Sequence, residues 1–115
     1  MTCNIAGFRE DDISGLKQAT SGTPQTRVLD VRTPEEYADG HVPTAVNVEL
    51  SKLSADALSS AGFNPQDRVY VICASGRRSA QACVRMNKVF GFKDVINVKG
   101  GTLAWIGAGE DVERA

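Results

Sequence analysis

A chain of 115 residues can build one domain with a real core, but not two. Its 42% hydrophobic and 23% charged residues exclude a disordered polypeptide. Its formal net charge of −1 excludes the basic surplus that a general binder of nucleic acid or anionic membranes requires.

The N-terminus, Met1-Thr2-Cys3-Asn4-Ile5-Ala6, has no basic region followed by an apolar one, so no secretory signal is expected. No apolar run approaches the about 20 residues of a membrane span. The three cysteines, Cys3, Cys73 and Cys83, show no paired spacing and no partner histidines. That pattern suits a reducing cytosol better than a disulfide framework or a zinc site, and the cytoplasm is the expected location.

In chain order, Thr2 to Ala6 reads as a short first strand, and Asp12 to Ala19 as an amphipathic helix with Ile13 and Leu16 on one face. Thr20-Ser21-Gly22-Thr23-Pro24 is turn chemistry. Val28-Leu29-Asp30-Val31 is a strand of the buried parallel type. Thr33-Pro34-Glu35-Glu36 then starts a helix: Thr33 caps, Pro34 takes the first helical position, and Glu36 completes a capping box. Gly40 ends this helix, and His41-Val42-Pro43 leads into the strand Ala45 to Val48. Ser51 to Ala61 reads as one amphipathic helix stopped by Gly62. The strand Val69 to Ile72, a loop, a helix from about Arg78 to Phe90 and the strand Val95 to Val98 follow. Gly100-Gly101 introduces a closing helix that carries Leu103, Trp105 and Ile106. This alternation predicts an α/β sandwich with a mainly parallel sheet, whose ligands sit beyond the carboxyl ends of the strands.

Cys73 immediately follows one of those strands. Cys73-Ala74-Ser75-Gly76-Arg77-Arg78-Ser79 is a loop of small residues that runs into a helix start. Inward-pointing amides and a helix N-terminus make such a loop an anion pocket and favour the thiolate over the thiol. A buried structural cysteine is the plain alternative, but a purely apolar site has no use for Gly76, Arg77, Arg78 and Ser79 beside it. Gly76 permits a positive φ. Arg78 can lay a guanidinium fork over the pocket mouth, and Arg77 either does likewise or faces solvent. The loop reads as a thiolate enzyme or a thiolate carrier. Cys83 shares a helix face with Ala80, Met86 and Phe90 and reads as core. Lying about five residues past the helix start, roughly 7.5 Å along the axis, it is poorly placed to form a disulfide with Cys73.

Three separated stretches carry a family resemblance. Leu29 to Asn47, reading LDVRTPEEYADGHVPTAVN, is similar to the D-V-R…E-Y…G-H-I-P-G-A-x-N signature of single-domain rhodaneses. Cys73 to Ser79 resembles their C-x-x-G-x-R-S active loop, and Gly100-Gly101 with Trp105 their G-G-x-x-x-W ending. The resemblance covers about residues 4–106 and implies one rhodanese domain over the whole chain, a three-layer α/β/α sandwich with a mainly parallel, about five-stranded sheet. It implies a sulfurtransferase in which Cys73 is the catalytic, sulfur-accepting nucleophile. Ala74, Ser75, Gly76, Arg77, Arg78 and Ser79 then bind the substrate. Thr44 stands where the family usually has glycine. Ala74 stands where some thiosulfate-using relatives carry a charge.

Asp30, Arg32, Glu36 and His41 of the first signature look structural, with Arg32 and Glu36 placed to pair at the pocket rim. His41, the only histidine, reads as a turn residue that fixes its neighbours. Trp105 and its glycines read as core and turn. The expected chemistry passes sulfane sulfur from thiosulfate or a persulfide to a thiol, cyanide or partner-protein acceptor, with no metal, organic cofactor, nucleic acid or membrane involved. A regulatory or sulfur-carrier module is one alternative. A cysteine phosphatase or arsenate reductase is another, although those enzymes place five residues between cysteine and arginine whereas Ala74, Ser75, Gly76 and Arg77 alone separate Cys73 from Arg78.

Overall fold

The computed structural model describes residues 8–22 and 26–114. The expected strand Thr2 to Ala6, Cys3, and Thr23-Pro24 of the expected turn lie outside the described residues. Five strands form one sheet: β1 (Arg9–Asp11), β2 (Arg27–Asp30), β3 (Val46–Asn47), β4 (Arg68–Ile72) and β5 (Asp94–Val98), in the order β1-β5-β4-β2-β3. Every pairing is parallel. The carboxyl ends of all five strands therefore share one edge, and the loops after β4 and β5 meet there.

The helices are α1 (Ile13–Gly22), α2 (Pro34–Asp39), α3 (Ala55–Ser60), α4 (Arg77–Lys88) and α5 (Gly101–Gly107), with a 3-10 turn at Leu50–Lys52. Strand alternation sorts the core into two halves. Leu29, Val69, Val71 and Val95 pack with Leu58 of α3 and with Ala82, Cys83 and Met86 of α4. Val28, Tyr70, Ile72, Ile96 and Val98 pack with Leu16 of α1 and Trp105 of α5. The three layers expected of the chain are present.

Local chemistry explains most boundaries. The Thr33 hydroxyl accepts the Glu36 amide at 3.2 Å, and the Thr33 amide donates to Glu36 Oε1 at 3.1 Å, so the capping box forms as the sequence predicts. Two expectations shift, and one strand was not expected. The α1 helix runs through Thr20 and Ser21 to Gly22, because the Thr20 hydroxyl turns back to the Leu16 carbonyl at 3.0 Å and does not break the helix. The helix expected over Ser51 to Ala61 is two pieces, because Ser54 takes extended backbone and caps the Ala57 amide at 3.0 Å to start α3 afresh. The first described strand, Arg9–Asp11, is wholly charged. It lies at the sheet edge, where charge is tolerated and no apolar pattern is needed to signal it.

Candidate active site

β4 is buried along Val69 to Ile72, and the alternation that turns Val69 and Val71 toward α4 carries Cys73 to the same face. Cys73 is 1% exposed. Beyond it the chain turns through Gly76, whose φ of 102° is left-handed and caps α4. The closing helix holds the loop from behind: the Thr102 amide donates to the Cys73 carbonyl at 2.9 Å and the Leu103 amide to the Ala74 carbonyl at 3.0 Å. Gly101, at a φ of 58°, sits so close that a Cβ there would strike both carbonyl oxygens. Gly101 of the closing motif thus does more than turn the chain.

The sulfur lies beneath the surface, but hydrogen-bond donors face it. The Gly76 amide donates to Sγ at 3.0 Å, and Ser79 Oγ lies 3.3 Å from it. Burial alone would push the thiol up. Bonds from the Ser79 hydroxyl and from the amides of Ser79, Gly76 and Ser75 outweigh it and hold Cys73 below the ordinary thiol value. Cys83 has no such donors: burial, then the charges of Glu10 and Cys73, push its thiol far up. Both are free cysteines, and Cys83 is core, as its helix face indicates.

The loop residues are placed unequally. Ser79 is fully buried beside the sulfur, Ala74, Gly76 and Arg78 are half-buried, and Ser75 and Arg77 are exposed. The Arg77 guanidinium has no hydrogen-bond or ion-pair partner among the described residues. Arg78 does not hold an open fork over the mouth. It donates through both terminal nitrogens to Glu36, at 2.8 Å to Oε1 and 2.9 Å to Oε2. Hydrogen bonding from Arg78, assisted by Thr33, lowers the Glu36 carboxyl to about 2 against the cost of its burial.

The rim pair expected between Arg32 and Glu36 is therefore not formed. Arg32 binds Asp30 through Nε at 3.0 Å and Nη2 at 2.8 Å, and also donates to the Gly40 carbonyl at 2.9 Å. Asp30 is wholly buried at the end of β2, and a buried carboxylate takes the nearest fork that satisfies it. Glu36, freed from Arg32, ties α2 to α4. Its capping motif was legible, but nothing local to the sequence signals the long-range partner.

His41 is a buried fixing residue. Its ring stacks on Tyr37 at 3.7 Å, Nδ1 lies 2.7 Å from the Tyr37 carbonyl, and its backbone pairs with Glu113. Trp105 is core, with its indole N–H donating to the Asp111 carbonyl at 2.7 Å. Thr44, the family departure, takes a φ of 76°, the sole non-glycine positive φ among the described residues.

One residue that sequence reasoning passed over joins the site. Asn97 lies 2.5 Å from Ser79 Oγ through Oδ1, and its Nδ2 donates to Glu10 at 3.0 Å and to the Gly76 carbonyl at 3.2 Å. A signal existed: Asn97 is a lone amide in the apolar run Val95-Ile96-Asn97-Val98, and a buried amide in a central strand needs partners.

A chain similar over 107 residues, at 37% identity, is the Bacillus subtilis protein named "Putative sulfur carrier protein YrkF". The match covers 93% of this chain and 56% of that protein, so this chain spans little more than half of that relative's length. "Sulfurtransferase" of Allochromatium vinosum is 35% identical over 97 residues, covering 84% of this chain and 86% of that one. The crystal structure of a rhodanese-like domain protein from Staphylococcus aureus matches with a TM-score of 0.78 at 32% identity, over 94% of this chain and 99% of that one. No helix among the described residues is long and apolar enough to cross a membrane. The model of the rhodanese-like domain matches residues 14–108, from α1 through the Cys73 loop to α5, and the chain belongs to the rhodanese-like domain family.

Proposed function

We propose that this chain is a cytoplasmic sulfurtransferase that moves sulfane sulfur through a persulfide on Cys73. One observation carries the reading: hydrogen-bond donors from Gly76 and Ser79 converge on a sulfur otherwise enclosed by the core. In the first half-reaction the Cys73 thiolate attacks the outer sulfur of thiosulfate or of a persulfide donor. The new Sγ–S bond forms as the donor's S–S bond breaks, and its electron pair leaves on sulfite or on the donor thiolate. In the second, cyanide or an acceptor thiolate attacks the outer sulfur, and the Cys73 thiolate leaves with the electron pair.

The negative charge of the persulfide's outer sulfur falls to the loop amides from Ala74 to Ser79. With Arg78 engaged by Glu36 and Arg77 exposed, these amides supply most of the binding of an anionic donor. That favours a singly charged persulfide over a dianion. Delivery to a partner protein is the second reading, favoured by the name of the Bacillus relative. The free thiols of Cys73 and Cys83 support the cytoplasmic location. A cysteine phosphatase is disfavoured by the short spacing from Cys73 to Arg78.

Intact-mass and peptide analysis after incubation with thiosulfate, or with a low-molecular-weight persulfide, tests the reading. A gain of one sulfur atom on Cys73, lost on adding cyanide and absent in Cys73→Ser, is expected. Undiminished transfer by Cys73→Ser, or hydrolysis of an aryl phosphate without sulfur loading, would overturn it.

A further inference from the structure

The polar contacts beneath Cys73 run across the sheet in one line. β1 and β5 pair with Glu10 directly opposite Asn97, so both side chains stand on one face. The contact of Asn97 with Ser79 of α4 makes it the face that also carries Cys73. Asn97 is 1% exposed. Its Nδ2 donates at 3.0 Å to a Glu10 carboxylate oxygen and at 3.2 Å to the Gly76 carbonyl. These two acceptors orient the amide, since the reversed amide would set Oδ1 against two oxygens. Oδ1 therefore faces Ser79 Oγ at 2.5 Å, and that oxygen lies 3.3 Å from Cys73 Sγ.

A serine hydroxyl has a single hydrogen. An amide oxygen has none, so the contact between Ser79 and Asn97 exists only while Ser79 donates to it. In that state Ser79 turns a lone pair toward sulfur, which suits a thiol: S–H to Oγ, and O–H to Oδ1. A thiolate has no hydrogen and is stabilised by the opposite arrangement, with the hydroxyl aimed at Sγ and Oδ1 released.

We propose that Asn97 is a positioning residue for sulfur transfer, competing with Cys73 for the one hydrogen of Ser79. The inference rests on Cys73 as the nucleophile. When the Cys73 proton passes to water, the hydroxyl turns to the charged Sγ. When the Sγ–S bond forms and the donor's S–S bond breaks, the negative charge moves to the outer sulfur, Sγ becomes a neutral sulfide, and the hydroxyl returns to Asn97. Each sulfur delivery reverses the sequence. Glu10 and the Gly76 carbonyl keep the amide in register throughout. The other titratable groups that interact electrostatically with Cys73 are Cys83 and Arg78 of α4, with Glu36 of α2 holding Arg78. All of them remain unchanged in the variants below.

The apparent pKa of Cys73, read from the pH dependence of its alkylation by iodoacetamide with peptide mapping, tests the competition without any turnover. Ser79→Ala removes the donor and should slow alkylation at neutral pH. Asn97→Leu removes the competitor and should speed it, on the order of threefold to tenfold. The double variant should match Ser79→Ala. Slower or unchanged alkylation in a folded Asn97→Leu protein, or the same acceleration in the absence of Ser79, overturns the proposal. Should Asn97→Leu not fold, Asn97→Asp serves, because a stronger acceptor should slow alkylation more when Ser79 is present than when it is replaced. Equal slowing in both backgrounds overturns the proposal. The sulfur-loading measurement on Cys73 judges the parent reading separately, since the alkylation result does not depend on it.

Discussion

Glu36, in the first turn of α2, accepts both terminal nitrogens of Arg78, in the first turn of α4, at 2.8 and 2.9 Å. The pair joins the capping box of one helix to the Cys73 loop that begins the other. It also neutralises the charge that the loop would otherwise present to an anion.

Glu36→Gln should therefore have two effects. The Glu36 carboxyl is lowered from an ordinary 4.5 to about 2. A lowered folded value contributes stability above pH 4.5, and this is lost as pH falls toward 2. Both side chains are about a third exposed, at 37% and 35%, so solvent screening limits the contribution to about 1 kcal/mol or less. Urea midpoints measured across that range should fall less steeply in the variant than in the parent. Steady-state kinetics should show KM for thiosulfate falling on the order of threefold, as the fork becomes available to the dianion. A KM that rises would show that Arg78 serves the substrate best while paired.

Alkylation should separate the two described cysteines. The thiolate is the reactive form, and the structure favours it at Cys73 and disfavours it at Cys83. Brief iodoacetamide treatment at neutral pH should label the Cys73 peptide at least about tenfold over the Cys83 peptide, and denaturant should abolish the difference. Comparable labelling of the native protein would contradict the arrangement of donors around Cys73.

Gly101→Ala tests the contact between the closing helix and the loop. Its Cβ would meet the Cys73 and Ala74 carbonyl oxygens, at a φ of 58°. A loss of about 2–4 kcal/mol in unfolding free energy is expected, with sulfur transfer falling further than the folded fraction does. The obstacle is backbone, so a flexible side chain cannot relieve it by turning away.

Thr44→Gly should do the opposite. A β-branched residue at a φ of 76° is strained, and glycine removes the strain at the cost of extra freedom in the unfolded chain. A net gain of about 1 kcal/mol by chemical denaturation is expected, with transfer activity unchanged because Thr44 lines a cleft with Val42, Trp105 and Glu110 that includes no residue of the Cys73 loop. A destabilised variant would mean that the threonine makes up for its backbone through contacts of its own.

What could be read from the sequence was mostly local. The capping box at Thr33 and Glu36, the left-handed turn at Gly76 and the position of Cys73 at a strand end all follow from residues within a few places of one another. Contacts across the sheet were not readable in this way. Arg9–Asp11 pairs with β5 as an edge strand, and edges need no apolar alternation. The choice of Asp30 over Glu36 as the partner of Arg32 depends on how far β2 carries Asp30 into the interior. Asn97 reaches Ser79 because β5 lies beside β4 in the sheet, although the two residues are 18 positions apart in the chain.

Cys73, at 1% exposed, holds its sulfur at the floor of the loop and not at its lip. A sulfur at that depth is shielded from bulky oxidants and reductants. Under the proposed sulfur transfer, only a slender tip, such as a lone thiol on an extended segment or a small anion, would reach it, so the enclosure itself would screen which molecules take part in the exchange.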